Sequence, residues 1–70
     1  MQSLSEVRAG ETCTIKWMFG SPGILDFMHG YDIKEGSLID VFQRGKTDMI
    51  IGKGSLRLAI GKDVAERIKV

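Results

Sequence analysis

One cysteine in 70 residues, Cys13, leaves the chain without an internal disulfide and suits it to a reducing compartment. One histidine and scattered carboxylates offer little for acid–base or nucleophilic catalysis, so no enzymatic activity is expected. No apolar run approaches the roughly 20 residues needed to cross a bilayer. The start, "MQSLSEVRAGE", also lacks the apolar stretch of a secretion signal, so a cytoplasmic location without membrane insertion is expected. Charge of one sign is not in excess: 10 Lys and Arg stand against 9 Asp and Glu, and the signs alternate in "KEG", "RGKTD" and "GKDVAERIK". A nucleic-acid binder carries a basic stripe, and a membrane-surface helix a basic amphipathic face; the sequence has neither pattern. What remains is a small soluble globular chain, 43% hydrophobic and 27% charged, expected to form a single domain over residues 1–70.

Residues 12–19, "TCTIKWMF", alternate, with Cys13, Ile15 and Trp17 expected on one side and Thr12, Thr14 and Lys16 on the other. Leu4 and Val7 are three apart and read as a short anchor packed on one end of the fold. "GSPG" at 20–23 then punctuates the chain, with Ser21 suited to cap a helix and Pro22 to its first position. The next apolar residues, Ile24, Leu25, Phe27 and Met28, have helical spacing over about two turns, too few to stand without packing. "LIDVFQ" places Ile39 and Val41 on one face and Leu38 and Phe42 on the other. "RGKTD" is a hairpin turn, and "MIIGKG" and "SLRLAI" are two strands joined near Gly52 and Gly54. Asp63 with Glu66 resembles a capping box for one helical turn, and "IKV" closes the chain as a strand. Strands this short make a poor sandwich but can wrap a few Ile, Leu and Val side chains. The expected fold is mainly β: a small five-stranded barrel, a short helix inserted after the first strand, and a helical turn before the last.

Three segments carry a family resemblance. "LSEVRAGETCTI" resembles the opening of the FeoA family, "YDIKEGSLIDV" its central segment, and "LRLAIGKDVAERIKV" its close, with Ala59, Ala65, Ile68 and Val70 in place. The resemblance spans the chain and implies an SH3-like barrel with that inserted helix. It also implies a cytoplasmic accessory of ferrous iron uptake that binds the GTPase portion of a FeoB-type transporter. The chain departs from the family pattern at Asp26, where the helix is commonly basic, and at Asp32, where glycine is expected. In the hairpin that follows it has "TD" instead of "DP". An alternative relationship is to the SH3-like C-terminal domains of metal-dependent repressors of the diphtheria toxin repressor family.

Asp26 and His29 are three apart on the expected helix and are the candidate pair for ferrous iron or zinc, with Asp32 or Cys13 as a third ligand. A surface Asp and His near a helix end is the plainer reading, because no metal-motif spacing is present. "GKG" at 52–54 is far shorter than a phosphate-binding loop and reads as a turn. Trp17, Met18, Phe19, Phe27, Met28, Tyr31 and Phe42 are more large apolar groups than a barrel this small can hold. The helix is expected to bury most of them as a plug. Of the set, Met18, Phe19, Phe27, Met28, Tyr31 and Phe42 are the candidates for a partner-binding patch, and that partner could be a second copy of the chain.

Overall fold

The computed structural model describes residues 2–70, and the stretch expected as one strand forms two: β1 (Thr12–Thr14) and β2 (Trp17–Met18). The Ile15 amide donates to the Ser37 carbonyl at 2.9 Å, and the next amide, Lys16, donates to the Lys69 carbonyl at 2.8 Å. Two consecutive backbone groups therefore serve two different sheets, and the chain turns a corner between them. The corner shifts the alternation by one residue. Ile15 is buried as expected, but Trp17 points out and Met18 points in. The expectation that Trp17 shares a side with Cys13 and Ile15 is corrected here.

After α1 (Pro22–Gly30), the strands β3 (Leu38–Arg44), β4 (Asp48–Lys53) and β5 (Leu56–Gly61) follow as a meander. They join β1 in an antiparallel sheet of order β1-β3-β4-β5. A second, two-stranded antiparallel sheet pairs β2 with β6 (Ile68–Lys69), which is reached through α2 (Lys62–Ala65). Among the described residues there are thus six strands in two sheets instead of five in one barrel. The difference lies in the corner at residues 15–16. The chain ends meet as expected: Ser3 bridges to Lys69, and the Val70 amide donates to the Gln2 carbonyl at 2.8 Å.

In β3, Ile39 and Val41 face the core while Leu38 and Phe42 face out, as their spacing predicts. A register irregularity between Val41 and Gln43 bends the strand at Phe42, as bulges do in small curved sheets. Leu4, the first residue of the short 3₁₀ turn Leu4–Glu6, and Val7, which follows it, are both buried, as expected of the anchor. The expected capping box at Asp63 does not form: α2 starts after Gly61, and no side chain caps it.

The core is aliphatic and methionine-rich, and Met18, Met28 and Met49 lie in it at 6%, 0% and 0% exposure. Its remaining members are mainly Ile, with Leu4, Val7, Val41 and Ala65. No aromatic ring enters it. Trp17, Phe19, Phe27, Tyr31 and Phe42 are all at least 40% exposed, so the expectation that the helix buries most of this set is corrected. Unbranched methionine fits an irregular, strongly curved interior where a rigid ring does not.

Asp32 follows the helix with φ of 60°, in the left-handed region that Asp tolerates better than most residues. This explains why glycine suits the position. Its carboxylate lies 2.8 Å from Lys53 Nζ and 3.3 Å from Lys34 Nζ. Its carbonyl accepts from Lys53 Nζ and from Ser37 Oγ. The helix exit is thereby tied to the end of β4.

Two outcomes are expected. Met28→Ala, which empties the contact between α1 and the core, should lower stability by about 2–5 kcal/mol with an unchanged denaturant slope; a loss under about 1 kcal/mol in urea titration would contradict that anchoring role. The hydrogen bond from Lys53, and then that from Lys34, hold the Asp32 carboxyl below its ordinary range. A folded-state value below the unfolded one means the carboxylate stabilises the fold at neutral pH and ceases to do so as the medium is acidified through the folded-state value. Asp32→Asn should therefore melt below wild type at pH 7, and the gap should close toward acid; a gap that does not depend on pH would assign the loss to something other than charge.

Candidate functional site

Ser21 begins α1 by accepting the Ile24 amide on its Oγ at 3.4 Å, and Pro22 occupies the first turn, where its missing N–H costs nothing. The helix runs nine residues, too few for independent stability, so its position is set by what it buries. Met28 is its fully buried member, with Ile24 and Leu25 partly covered. On the outer side Phe27 and Tyr31 meet edge to face, with ring centroids 5.2 Å apart.

Between α1 and the β5–α2 corner lies an apolar groove of about 240 Å³. Gly23, Ile24, Phe27 and Met28 line it from the helix, and Ala59, Ile60, Gly61 and Val64 line the other wall. None of these side chains is charged. Gly23 keeps the helix side open, with no atom within 4 Å of where a Cβ would stand. Phe27, 48% exposed, stands at the rim.

The six residues expected to form one partner-binding patch do not share a surface. Met18 and Met28 are core residues, because the corner turns Met18 inward and α1 seats Met28 against the sheets. Phe27 lines the groove from α1, and Tyr31, just after the helix, packs on its ring. Phe19 stacks instead with Trp17, 4.9 Å between centroids, on the two-stranded sheet. Phe42 lies on the outer face of the larger sheet beneath the Arg57 guanidinium, 3.9 Å from its ring centroid. Gly52 makes that stack fit, since a Cβ there would run into the Phe42 ring and the Leu56 carbonyl. Sequence reasoning missed Ala59, Ile60, Gly61 and Val64, which come to the groove from another part of the chain.

Asp26 and His29 are both exposed on α1. Of the candidate third ligands, the Asp32 carboxylate is engaged by two lysines and Cys13 lies on β1. Among the described residues no three His, Cys, Asp or Glu side chains gather as a metal site. Cys13 is half-buried; burial first, then the charges of Asp40 and Glu11, push its thiol above the ordinary value. A thiol so shifted is a poor nucleophile at neutral pH.

The FeoA domain family model matches residues 2–70. The chain belongs to the FeoA family. A crystal structure of an iron uptake regulatory protein, FeoA, superposes with a TM-score of 0.85 at 26% identity, covering 96% of this chain and 91% of that one. Its SH3-like fold is the arrangement described above. A manganese-dependent transcriptional repressor matches with a TM-score of 0.84 at 21% identity, over 96% of this chain but 39% of its own length. The metal-dependent transcriptional regulator MtsR matches with a TM-score of 0.79 at 10% identity, over 94% of this chain and 33% of its own. These last two share the fold. A search of curated protein sequences finds no match. Among the described residues of this FeoA-family chain, no helix is long and apolar enough to cross a membrane.

The thiol environment yields a direct test. Cys13 should react with a disulfide reagent at pH 8 more slowly than an unhindered thiol, and its pH–rate profile should rise only at more alkaline pH. Asp40→Asn should shift that profile toward lower pH. A wild-type profile centred on the ordinary thiol value would contradict the assigned environment.

Proposed function

We propose that this chain is a non-enzymatic cytoplasmic accessory of ferrous iron uptake that binds the GTPase portion of a FeoB-type transporter through the α1 groove. The observation that carries the reading is the groove itself: an uncharged concavity with an aromatic rim, on a chain whose family and whose neighbour of known structure belong to iron uptake. Grooves of this kind accept an apolar side chain or a short amphipathic segment, and a rim aromatic is the usual anchor. Phe27 has that position. Mechanistically, the domain acts by binding one state of the transporter's GTPase portion more tightly than another and shifting that population. Such regulation needs differential affinity and no chemistry of its own.

The fold shared with two metal-dependent regulators supports a second reading, in which the same groove holds a peptide of a transcriptional regulator. The partner distinguishes the two readings, since both use one surface.

Phe27→Asp places a charge at the rim without opening the core, because Phe27 is half exposed. Titration of the isolated GTPase portion, in its nucleotide-free, GDP and GTP-analogue states, should show binding in at least one state, weakened about 10- to 100-fold by Phe27→Asp. Absence of wild-type binding in every state at high micromolar concentration would overturn the transporter reading. Equal binding by wild type and variant would move the contact away from the groove.

A further inference from the structure

The corner at residues 15–16 builds a second surface, on the two-stranded sheet. Turning Trp17 outward sets it beside Phe19, and both rings stay exposed, at 50% and 40%. They stack at 4.9 Å with a tilt of 34°, so each covers part of the other's face. Lys69 is the register partner of Trp17 in β6, and its ammonium lies 5.7 Å from the centre of the Phe19 ring. The Phe19 amide donates to the Arg67 carbonyl at 3.0 Å, which places Arg67 opposite Phe19. Lys16 immediately precedes Trp17, is exposed, and is bonded through its amide to Lys69.

None of these three cations is neutralised. Among the described residues every ion pair involves Asp32, and Lys16, Arg67 and Lys69 have no carboxylate within 4 Å. Arg67 Nη1 and Lys69 Nζ donate to the backbone carbonyls of Asp63 and Glu66, at 2.8 and 2.9 Å, which holds their chains in place. Trp17 and Phe19 thus form an exposed aromatic pair bordered by unpaired positive charge.

We propose that this surface docks on an anionic phospholipid bilayer, with the Trp17 and Phe19 rings at headgroup depth and Lys16, Arg67 and Lys69 against the lipid phosphates. Tryptophan is favoured at that boundary because its ring is largely apolar and its N–H is polar, and long basic side chains reach the headgroups from beside it. Charge complementarity requires an acidic occupant. The described groove lies elsewhere, between α1 and the β5–α2 corner, and this surface is separate from it. The expected lack of a membrane-surface role rested on the lack of a basic amphipathic helix; two strands far apart in sequence assemble the equivalent face.

Trp17 is the only tryptophan, so its fluorescence reports this contact directly. With the full chain at low salt, vesicles of mixed phosphatidylglycerol and phosphatidylcholine should blue-shift Trp17 emission and shield it from acrylamide. Added salt should reverse both effects. Lys16→Gln with Lys69→Gln should lower the partition coefficient about 20- to 30-fold, near fivefold per charge removed. Phe19→Ser, which leaves the reporter and the charges in place, should also weaken partitioning, and unchanged thermal melts would show both variants folded. The proposal is overturned if phosphatidylglycerol vesicles leave Trp17 emission unchanged, if phosphatidylcholine alone shifts it equally, or if a polyglutamate peptide or single-stranded oligonucleotide shifts it at lower concentration than the vesicles. The transporter titration with Phe27→Asp reads a different surface, so either proposal can fail without the other.

Discussion

The architecture depends on two adjacent amides that bond in different directions. Ile15 donates to Ser37, beside the four-stranded sheet, and Lys16 donates to Lys69 in the two-stranded one. Without that divergence β1 and β2 would be one strand, and β6 would have no partner to hold the C-terminal segment. Because side chains alternate strictly along a strand, a corner of one residue exchanges inside for outside. Met18 enters the core and Trp17 leaves it. A backbone event at two residues thus decides both what fills the interior and what is offered to the outside.

Regular segments were legible in the sequence wherever period and position agreed. Ile39 and Val41 against Leu38 and Phe42, the Ser21–Pro22 helix start, and the terminal Ile68 all lie where alternation and capping place them. The corner was not legible, because "TCTIKWMF" alternates well enough to read as one strand, and nothing local tells Lys16 to seek Lys69, more than fifty residues away. The Asp63–Glu66 spacing had the form of a capping box, yet Gly61 takes the cap position because β5 runs directly into α2. The candidate site was half legible. Phe27 and its helix could be named, but the opposite wall comes from β5 and α2, and a pairing of surfaces leaves no mark in either segment alone.

Size explains why the aromatic residues are outside. An interior enclosed by strands of two to seven residues is narrow and sharply curved. Isoleucine and methionine divide such a space into small or flexible pieces, whereas a ring must fit whole. Each excluded ring then finds a local support: Phe27 on Tyr31, Trp17 on Phe19, Phe42 between Gly52 and Arg57. These arrangements shield part of each ring and orient the remainder. They produce three separate aromatic positions in place of one continuous patch, a milder exposure for a free domain than a single large apolar surface.

The three positions also differ in charge, and this separates what each can recognise. The groove beside Phe27 is lined by uncharged side chains and suits an apolar insertion. Phe42 already carries its cation, so its outer face is covered by Arg57. Trp17 and Phe19 stand beside cations that no carboxylate answers. A net charge of +1 conceals this, because it sums charge over the whole chain, and one of the acidic residues, Asp32, already engages two lysines. Where charges sit relative to apolar surface, and not their total, determines the partner each face can hold. The same reasoning limits exchange between the faces: an apolar segment gains nothing from Lys69, and an anionic surface gains nothing from the groove. A domain this small therefore carries two chemically distinct faces, provided the corner at Ile15 and Lys16 keeps the rings on the outside.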